Sequence, residues 1–188
     1  MIDIKKCTDN DLIEYILKSG DTNYFGELYD RYSNKVYRKC YAMVQNEADA
    51  EDLTQSILVK TMLNLSKFKG KSSFSTWLYR ITYNACLDHF RLKKKTRKIF
   101  TDEVNVDIKN VEQSDGIEEK QNLEIEISRL REIFKELIDT DRILLIMKYQ
   151  DKLTVPEISE QLDISISAVK MRLHRARKRV LNAYKLKY

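Results

Sequence analysis

The chain has 188 residues, which suits one medium-sized domain or two small ones. Four glycines and one proline supply too few turn residues for an all-β fold, so the composition favours helices. The longest apolar run, residues 143–147, is too short to cross a membrane, and the charged N-terminus is unlike a secretory signal. Cys7, Cys40 and Cys86 form no CxxC pair, zinc spacing or disulfide framework, which favours a reduced, cytoplasmic protein.

The net charge of +5 is distributed in alternating blocks. Residues 1–59 carry −4, residues 60–100 carry +10, residues 101–139 carry −7 and residues 140–188 carry +6. Two basic blocks separated by an acidic one predict two surfaces for a polyanion, joined by a segment that avoids it. Solvated lysines on an ordinary surface are the alternative, but each basic block coincides with a helical motif, which favours nucleic acid.

Four helices are predicted in the first half of the chain. Their capping and ending signals are the Thr8–Asp11 reciprocal cap, Gly20 at the end of the first helix, Asp21 before the second and Asn46 before the third. The third helix is predicted to run to about Ser66, and residues 67–73 read as a loop. The fourth helix begins near Phe74 and continues into the basic cluster of residues 93–98.

The third predicted helix has two distinct faces. Its apolar arc is expected in the core and comprises Leu53, Ile57, Leu58, Met62 and Leu65. The other side carries Asp52, Ser56, Val59 and Leu63, with Asp49 and Gln55 beside them. Apolar residues ringed by acids indicate a surface for a protein partner. Alternatively, a further helix covers Val59 and Leu63.

The fourth predicted helix also divides into two faces. Its predicted core stripe comprises Phe74, Leu78, Ile81, Ala85 and Leu92. The other face carries Trp77, Arg80, Asn84 and Arg91, with Tyr83 at its border. An aromatic ring beside Arg and Asn suits unstacked bases, because the ring stacks, the amide forms hydrogen bonds and the guanidinium neutralises phosphate. The alternative is that Trp77 fills the core.

Residues 100–119 lack a sustained period and are rich in Asp, Glu and Asn, which predicts a linker. Helix resumes near Ile125 and is followed by helices at about 141–150, 154–162 and 165–185. In the third of these four, Thr154 and Glu157 form a capping box; Asp163 takes a left-handed turn, and Ser165 caps the next helix.

The last predicted helix has a core stripe of Ile166, Val169, Leu173, Ala176 and Val180. Its opposite face carries Ser167, Met171, His174, Arg175 and Lys178, flanked by Lys170 and Arg172. A short helix, a tight turn and a longer basic helix predict a DNA-binding helix-turn-helix rather than a generic helical hairpin. Neither His174 nor His89 has a second ligand at metal spacing, and His89 is expected to pack inside.

Three stretches together resemble a known family: residues 48–55 (ADAEDLTQ), 68–81 (FKGKSSFSTWLYRI) and 168–177 (AVKMRLHRAR). They are similar to sigma factors of the extracytoplasmic-function group of the sigma-70 family. The resemblance implies an all-α fold with a sigma-2 domain at 1–98, a flexible acidic linker at 99–119 and a sigma-4 helix-turn-helix domain at 120–188. Two positions depart from the family, with Ser159 for the usual Ala and Asp163 for the usual Gly.

The function that the resemblance implies is promoter recognition on behalf of RNA polymerase, followed by opening of the −10 element. Expected partners are the clamp and flap of core polymerase, promoter DNA and an anti-sigma factor, with no cofactor, metal, small-molecule substrate or membrane insertion. The expected polymerase-binding residues are Asp49, Asp52, Gln55, Ser56, Val59 and Leu63. Those expected to bind the −10 element are Lys67, Phe68, Lys69, Trp77, Arg80, Asn84 and Arg91, with Phe68 in the loop that receives a flipped base. Those expected to bind the −35 element are Ser167, Lys170, Met171, His174, Arg175 and Lys178.

Two other functions compete with this interpretation. A self-sufficient repressor or activator predicts tight DNA binding without polymerase, but it leaves the first half of the chain unexplained. An enzyme such as a nuclease needs clustered carboxylates or a nucleophile beside a base. The acids of residues 49–52 have no histidine or basic set beside them in the sequence, so catalysis is not expected.

Overall fold

The computed structural model describes residues 4–100 and 119–188, with side chains for 4–95 and 124–188. Within these ranges the secondary structure is helical and contains no strand, which confirms the all-α class. The chain forms two compact units, Met1–His89 and Phe90–Tyr188. Residues 101–118, most of the expected linker, lie outside the described residues, so the boundaries at 98 and 119 stay predictions.

The first unit consists of α1 (Asp9–Ser19), α2 (Asn23–Val44), α3 (Glu47–Leu63) and the beginning of α4 (Phe74–Phe100), with short 3-10 turns at Ile4–Lys6 and Leu65–Lys67. The predicted caps of α1 and α3 are confirmed: Thr8 and Asp11 cap each other, and Asn46 accepts the Asp49 N–H.

The start of α2 differs from the prediction. Thr22, not Asp21, occupies the N-cap position and makes no side-chain cap. The Asp21 carboxylate instead accepts the Asn23 N–H at 2.9 Å. A short Asp side chain bonds readily to the backbone two residues ahead, so Asp21 closes a turn just before the helix.

The core of the first unit forms where α2 packs against α1 and α3. Its fully buried large side chains are Leu12, Leu28, Met43, Ile57, Leu65, Leu78 and Tyr83. Tyr83 was expected at the border of the outward face of α4, but only 1% of it is exposed. In this buried position the Tyr83 hydroxyl accepts a hydrogen bond from the Lys39 ammonium of α2 at 3.3 Å, and that ammonium also lies 5.5 Å from the Tyr83 ring centre.

The second unit contains α5 (Glu119–Glu136), α6 (Asp139–Leu145), a π-helical turn (Ile146–Gln150), α7 (Val155–Leu162) and α8 (Ile166–Lys187). The long α8 packs against α5, α6 and α7. The core side chains are Ile133, Ile143, Met147, Ile158, Val169, Leu173 and Ala176. Among the described residues, every helix is too short or too polar to span a bilayer.

A buried arginine joins α5 to α6. Arg142 is 4% exposed, and its guanidinium donates to the carbonyls of Phe134, Lys135 and Leu137 at 2.8 to 3.0 Å. Carbonyls at the end of a helix lack partners within that helix, so Arg142 satisfies the end of α5. Burial lowers the pKa of Arg142 from its ordinary value, while nearby Asp139 opposes that shift.

Candidate nucleic-acid and protein interfaces

The α7–turn–α8 segment is fixed by hydrogen bonds within itself. Thr154 and Glu157 form the predicted capping box, in which the Glu157 carboxylate accepts the Thr154 N–H at 2.7 Å. A hydrogen bond from the Thr154 hydroxyl, followed by this backbone bond, lowers the pKa of Glu157. Asp163 takes the predicted left-handed conformation with φ 52°, and Ser165 caps α8 by accepting the Ala168 N–H at 3.2 Å.

Ser159, one of the two departures from the family, closes the turn. Its hydroxyl donates to the Ile164 carbonyl at 2.5 Å, and its carbonyl accepts the Ile164 N–H at 3.2 Å. The Asp163 N–H also bonds to the Ser159 carbonyl. One residue of α7 therefore fixes the chain at the point where α8 begins.

The two faces of α8 separate largely as predicted. Val169, Leu173 and Ala176 are buried, whereas Ile166, expected in the core, is 47% exposed. Ile166 is the first residue of the helix, so the packed stripe begins one turn later. All six residues expected at the −35 element are exposed: Ser167, Lys170, Met171, His174, Arg175 and Lys178. They form a basic face that takes no part in the core.

The outward face of α3 is also free of packing in the part of the chain that the structure describes. Val59 is 58% and Leu63 75% exposed, so no described helix covers them. Asp52, Gln55 and Ser56 are exposed beside them. Met62, expected in the core, is 39% exposed and widens the apolar area.

Asp49 differs from the other residues of the α3 face. It is half-buried, and its carboxylate lies 3.4 Å from Nε2 of His89 on α4. From the sequence, no histidine was expected beside the acids of residues 49–52, because Asp49 and His89 are 40 positions apart. Asp49 and His89 therefore join α3 to α4, which fits the packing role expected for His89.

Phe68 and Trp77 lie together in an aromatic cluster. Their ring centres are 5.5 Å apart, and both rings contact Phe74, at 5.8 and 5.9 Å. Tyr32 meets Phe74 edge-on at 5.2 Å. Phe68 and Trp77 are half-buried, so they are neither fully free for stacking nor enclosed in the core.

The polar residues expected at the −10 element surround this cluster or follow it along α4. Lys67 is exposed at the end of the 3-10 turn and Lys69 in the loop that follows, and Arg80, Asn84 and Arg91 are exposed on α4. Leu92, expected in the core stripe, is 65% exposed. Phe74 and Leu78 of the predicted stripe are buried, but beyond them Thr82, Tyr83 and Cys86 are buried rather than Ile81 and Ala85, so the buried stripe turns away from the predicted one after Leu78.

An open pocket of about 360 Å³ lies between α1 and the 68–70 loop. The residues that line it are Asn10, Ile13, Glu14, Leu17, Lys18, Phe68, Lys69 and Gly70. Gly70 in this loop has φ 66°, a left-handed conformation that glycine adopts without strain. The sequence motifs indicated only the loop side of this pocket.

Comparison with known proteins places these features in a family. A Sigma-70 region 2 model matches residues 28–96, and a Sigma-70 region 4 model matches residues 127–180. The chain is 32% identical over 166 residues to the ECF RNA polymerase sigma factor SigW of Bacillus subtilis, covering 86% of this chain and 89% of SigW. It belongs to the ECF sigma factors of the sigma-70 family.

Further relatives agree with this membership. The sigma-E factor of Escherichia coli is 29% identical over 184 residues, 95% of each chain. The solved structure of CnrH with the cytosolic domain of CnrY matches with a TM-score of 0.61 at 20% identity, over 96% of this chain and 99% of that one. The structure of the RpoE–NepR complex of Bartonella quintana also matches with a TM-score of 0.61, at 16% identity over 89% and 100% of the chains, so both show the same fold.

Membership gives the function of the chain. As a sigma factor, it directs RNA polymerase to promoters and initiates DNA-templated transcription by recognising promoter DNA. Its partners are core RNA polymerase and promoter DNA. It is a regulatory DNA-recognition subunit.

Several residues that hold the helices of each unit together could not be recognised from the sequence. Asp9 accepts hydrogen bonds from Tyr32 at 2.5 Å and Arg31 at 3.1 Å, which joins α1 to α2. Burial and the Asp9 carboxylate raise the pKa of Tyr32. In the second unit, buried Asp141 pairs with Arg179 and so attaches α8 to α6. Only the folded chain brings these partners together, since they lie 22 to 38 positions apart.

Proposed function

We propose that this sigma factor works through three separate surfaces, one on α3, one around the Phe68–Trp77 cluster and one on α8. The observation that carries the proposal is the α8 face, where all six expected residues are exposed beside a capped helix-turn-helix. An α-helix fits the major groove, and base edges there are read by side chains of this kind. We assign −35 recognition to Ser167, Lys170, Met171, His174, Arg175 and Lys178.

The α3 face is proposed to bind the clamp of core RNA polymerase, while the second unit contacts the flap. Val59 and Leu63 supply an exposed apolar centre, and Asp52, Gln55 and Ser56 form a polar rim beside it. An apolar centre within a polar rim is the usual composition of a protein interface. Asp49 takes part from the edge of the face, where it is also paired with His89.

The −10 element is proposed to bind the loop and the exposed side of α4. The pocket beside Phe68 receives a base extruded from the duplex, and the half-exposed rings of Phe68 and Trp77 offer stacking surfaces. The polar and basic residues assigned to the displaced strand are Lys67, Lys69, Arg80, Asn84 and Arg91.

We further propose that this sigma factor acts without catalysis, in the cytoplasm and under the control of an anti-sigma protein. The chain catalyses no reaction of its own and needs no cofactor, because its work is recognition and strand separation. It acts in the cytoplasm together with the polymerase. An anti-sigma protein controls it, a proposal supported by the shared fold with CnrH, which was solved with CnrY, and with RpoE, which was solved with the anti-sigma factor NepR.

One binding experiment separates this proposal from a self-sufficient repressor. The full chain is titrated with promoter duplex, alone and with core polymerase, at several salt concentrations. Alone, it should bind weakly and lose affinity steeply with salt, because phosphate contacts release counterions. Core polymerase should sharpen the preference for the promoter. Tight, sequence-specific binding by the chain alone would favour the repressor, and the absence of any effect of core polymerase would refute the sigma-factor surfaces.

A further inference from the structure

Arg177 and Tyr149 form a contact at the edge of the α8 face. The guanidinium carbon of Arg177 lies 5.6 Å from the centre of the Tyr149 ring. Tyr149 is 56% exposed and belongs to the π-helical turn at 146–150. Turns of this type frequently occur at functional positions in helices. Neither residue belongs to the set assigned to base recognition.

The position of Arg177 places it beside the basic face of α8 rather than in the core. It follows Lys170 by seven residues, two helical turns or about 10 Å along the same stripe. It follows His174 by three residues, so it borders the recognition residues along the helix surface. Arg177 is itself exposed, so a ligand bound to this face can reach it.

Arg177 differs from Arg179 in the groups that it contacts. The Arg179 guanidinium pairs with buried Asp141 and so holds α8 against α6. Among the residues whose side chains the structure describes, no carboxylate pairs with Arg177, and its guanidinium lies instead over the Tyr149 ring. A guanidinium lying over a ring keeps its N–H groups free at its edges, so they can donate to another acceptor.

We propose that Arg177 binds a backbone phosphate of the DNA next to the base-reading face of α8, and that Tyr149 is a positioning residue that holds the guanidinium for this contact. A planar guanidinium matches two phosphate oxygens, and stacking on the ring reduces the freedom lost on binding. A phosphate contact fixes the protein on the duplex without reading the sequence. This inference rests on the proposed −35 recognition by α8.

The test uses full-length chain assembled with core polymerase on a duplex that carries both promoter elements. Affinity is measured over a series of KCl concentrations. For Arg177→Gln, we expect a loss of about five- to tenfold at low salt and a decrease of about one in the steepness of the log–log salt dependence. The preference for this duplex over one with a substituted −35 element should stay within about twofold, because phosphate contacts carry no base information.

Arg131→Gln is the matched control. It removes the same charge at an exposed position of α5, outside the α8 face assigned to base recognition. If Arg177→Gln gives the same affinity and salt dependence as Arg131→Gln, the phosphate contact is refuted.

Two comparisons test the role of Tyr149: variants that keep or remove its ring, and the effect of removing the ring when Arg177 is already substituted. Tyr149→Phe keeps the ring and should bind normally. Tyr149→Ala should weaken binding about threefold, because the Arg177 side chain would then lose more conformational freedom when it binds. In the Arg177→Gln background, Tyr149→Ala should cause no further loss of affinity. Additive effects would show that Tyr149 does not act through Arg177.

Different results would refute −35 recognition by α8 and the phosphate contact of Arg177. If the wild-type holoenzyme does not discriminate against a substituted −35 element, −35 recognition by α8 is wrong. If discrimination is normal but Arg177→Gln behaves as the control, only the phosphate contact is wrong. Because Arg177 is exposed, Arg177→Gln should leave the fold intact. It therefore tests the phosphate contact even if Tyr149→Ala weakens the fold.

Discussion

The α8 face and the Phe68–Trp77 cluster differ in how far recognition is separated from folding. On α8, the recognition residues are exposed, and different residues, Val169, Leu173 and Ala176, form the core side. In the cluster, Phe68 and Trp77 are half-buried against Phe74, which is itself in the core. Substitutions on α8 should therefore change DNA binding alone, whereas those in the cluster should change stability as well.

The largest effect is expected on the α3 face, whose residues, like those of the α8 face, are mostly exposed. Asp52→Lys combined with Leu63→Glu should abolish co-purification with core polymerase, because it reverses one charge and places another on the exposed apolar centre. Helical content measured by circular dichroism should stay unchanged.

The matched control for that variant is Asp30→Lys with Tyr29→Glu, which likewise reverses one charge and places another on an exposed apolar residue, both on α2. The control should co-purify normally. Unchanged co-purification of the α3 variant would show that polymerase binds elsewhere.

A smaller but still strong effect is expected from Trp77→Ala or Phe68→Ala. Open-complex formation, measured as permanganate reactivity of the −10 thymines, should fall by about tenfold or more, since stacking is worth about 1–3 kcal/mol per base. Because Trp77 packs against Phe68 and Phe74, its removal should also destabilise the first unit by about 1–3 kcal/mol.

Trp77→Phe separates these two effects, because a smaller ring keeps most of the packing. It should largely restore the melting temperature and retain part of the permanganate reactivity. If Trp77→Ala unfolds the unit before polymerase can bind, the residue belongs to the core rather than to strand opening.

On α8, Lys170→Ala with Arg175→Ala should reduce selectivity for the −35 element by about 1–3 kcal/mol for each base that is no longer recognised. The melting temperature should change by no more than a few degrees, because exposed residues with no role in packing usually contribute less than about 0.5 kcal/mol each to stability. The measurement pairs transcription from intact and −35-substituted promoters with thermal unfolding. A large drop in melting temperature would contradict the separation of the two faces.

The smallest effect concerns the two capping boxes, one in each unit. Hydrogen bonds from Thr8 lower the pKa of Asp11, and those from Thr154 lower the pKa of Glu157. A carboxyl with a lowered folded-state pKa adds stability above its unfolded pKa and loses it as the pH falls through the folded value. The difference in melting temperature between wild type and Glu157→Gln should therefore shrink as the pH is lowered from neutral into the acidic range. A constant difference would show that the charge on Glu157 does not contribute.

Local signals in the sequence predicted most of the helices and their ends. The caps by Thr8, Asn46, Thr154 and Ser165 follow from bonds to residues three positions ahead, so sequence spacing alone reveals them. The exposed face of α8 was also predicted from local spacing, because helical periodicity fixes which side chains share a face. The family motifs added the function, which the comparisons confirm.

Contacts between distant parts of the chain needed the tertiary structure. Cys40 and Cys86 are 46 positions apart, yet both are buried, and a hydrogen bond from the Cys86 thiol lowers the pKa of Cys40 while that of Cys86 is raised. Leu92 and Met62 have the periodicity of core residues but are 65% and 39% exposed, because the direction of a side chain on its helix does not settle how closely other elements pack around it. Periodicity gives the direction in which a side chain leaves its helix, whereas only the packed fold decides which residues contact that side chain.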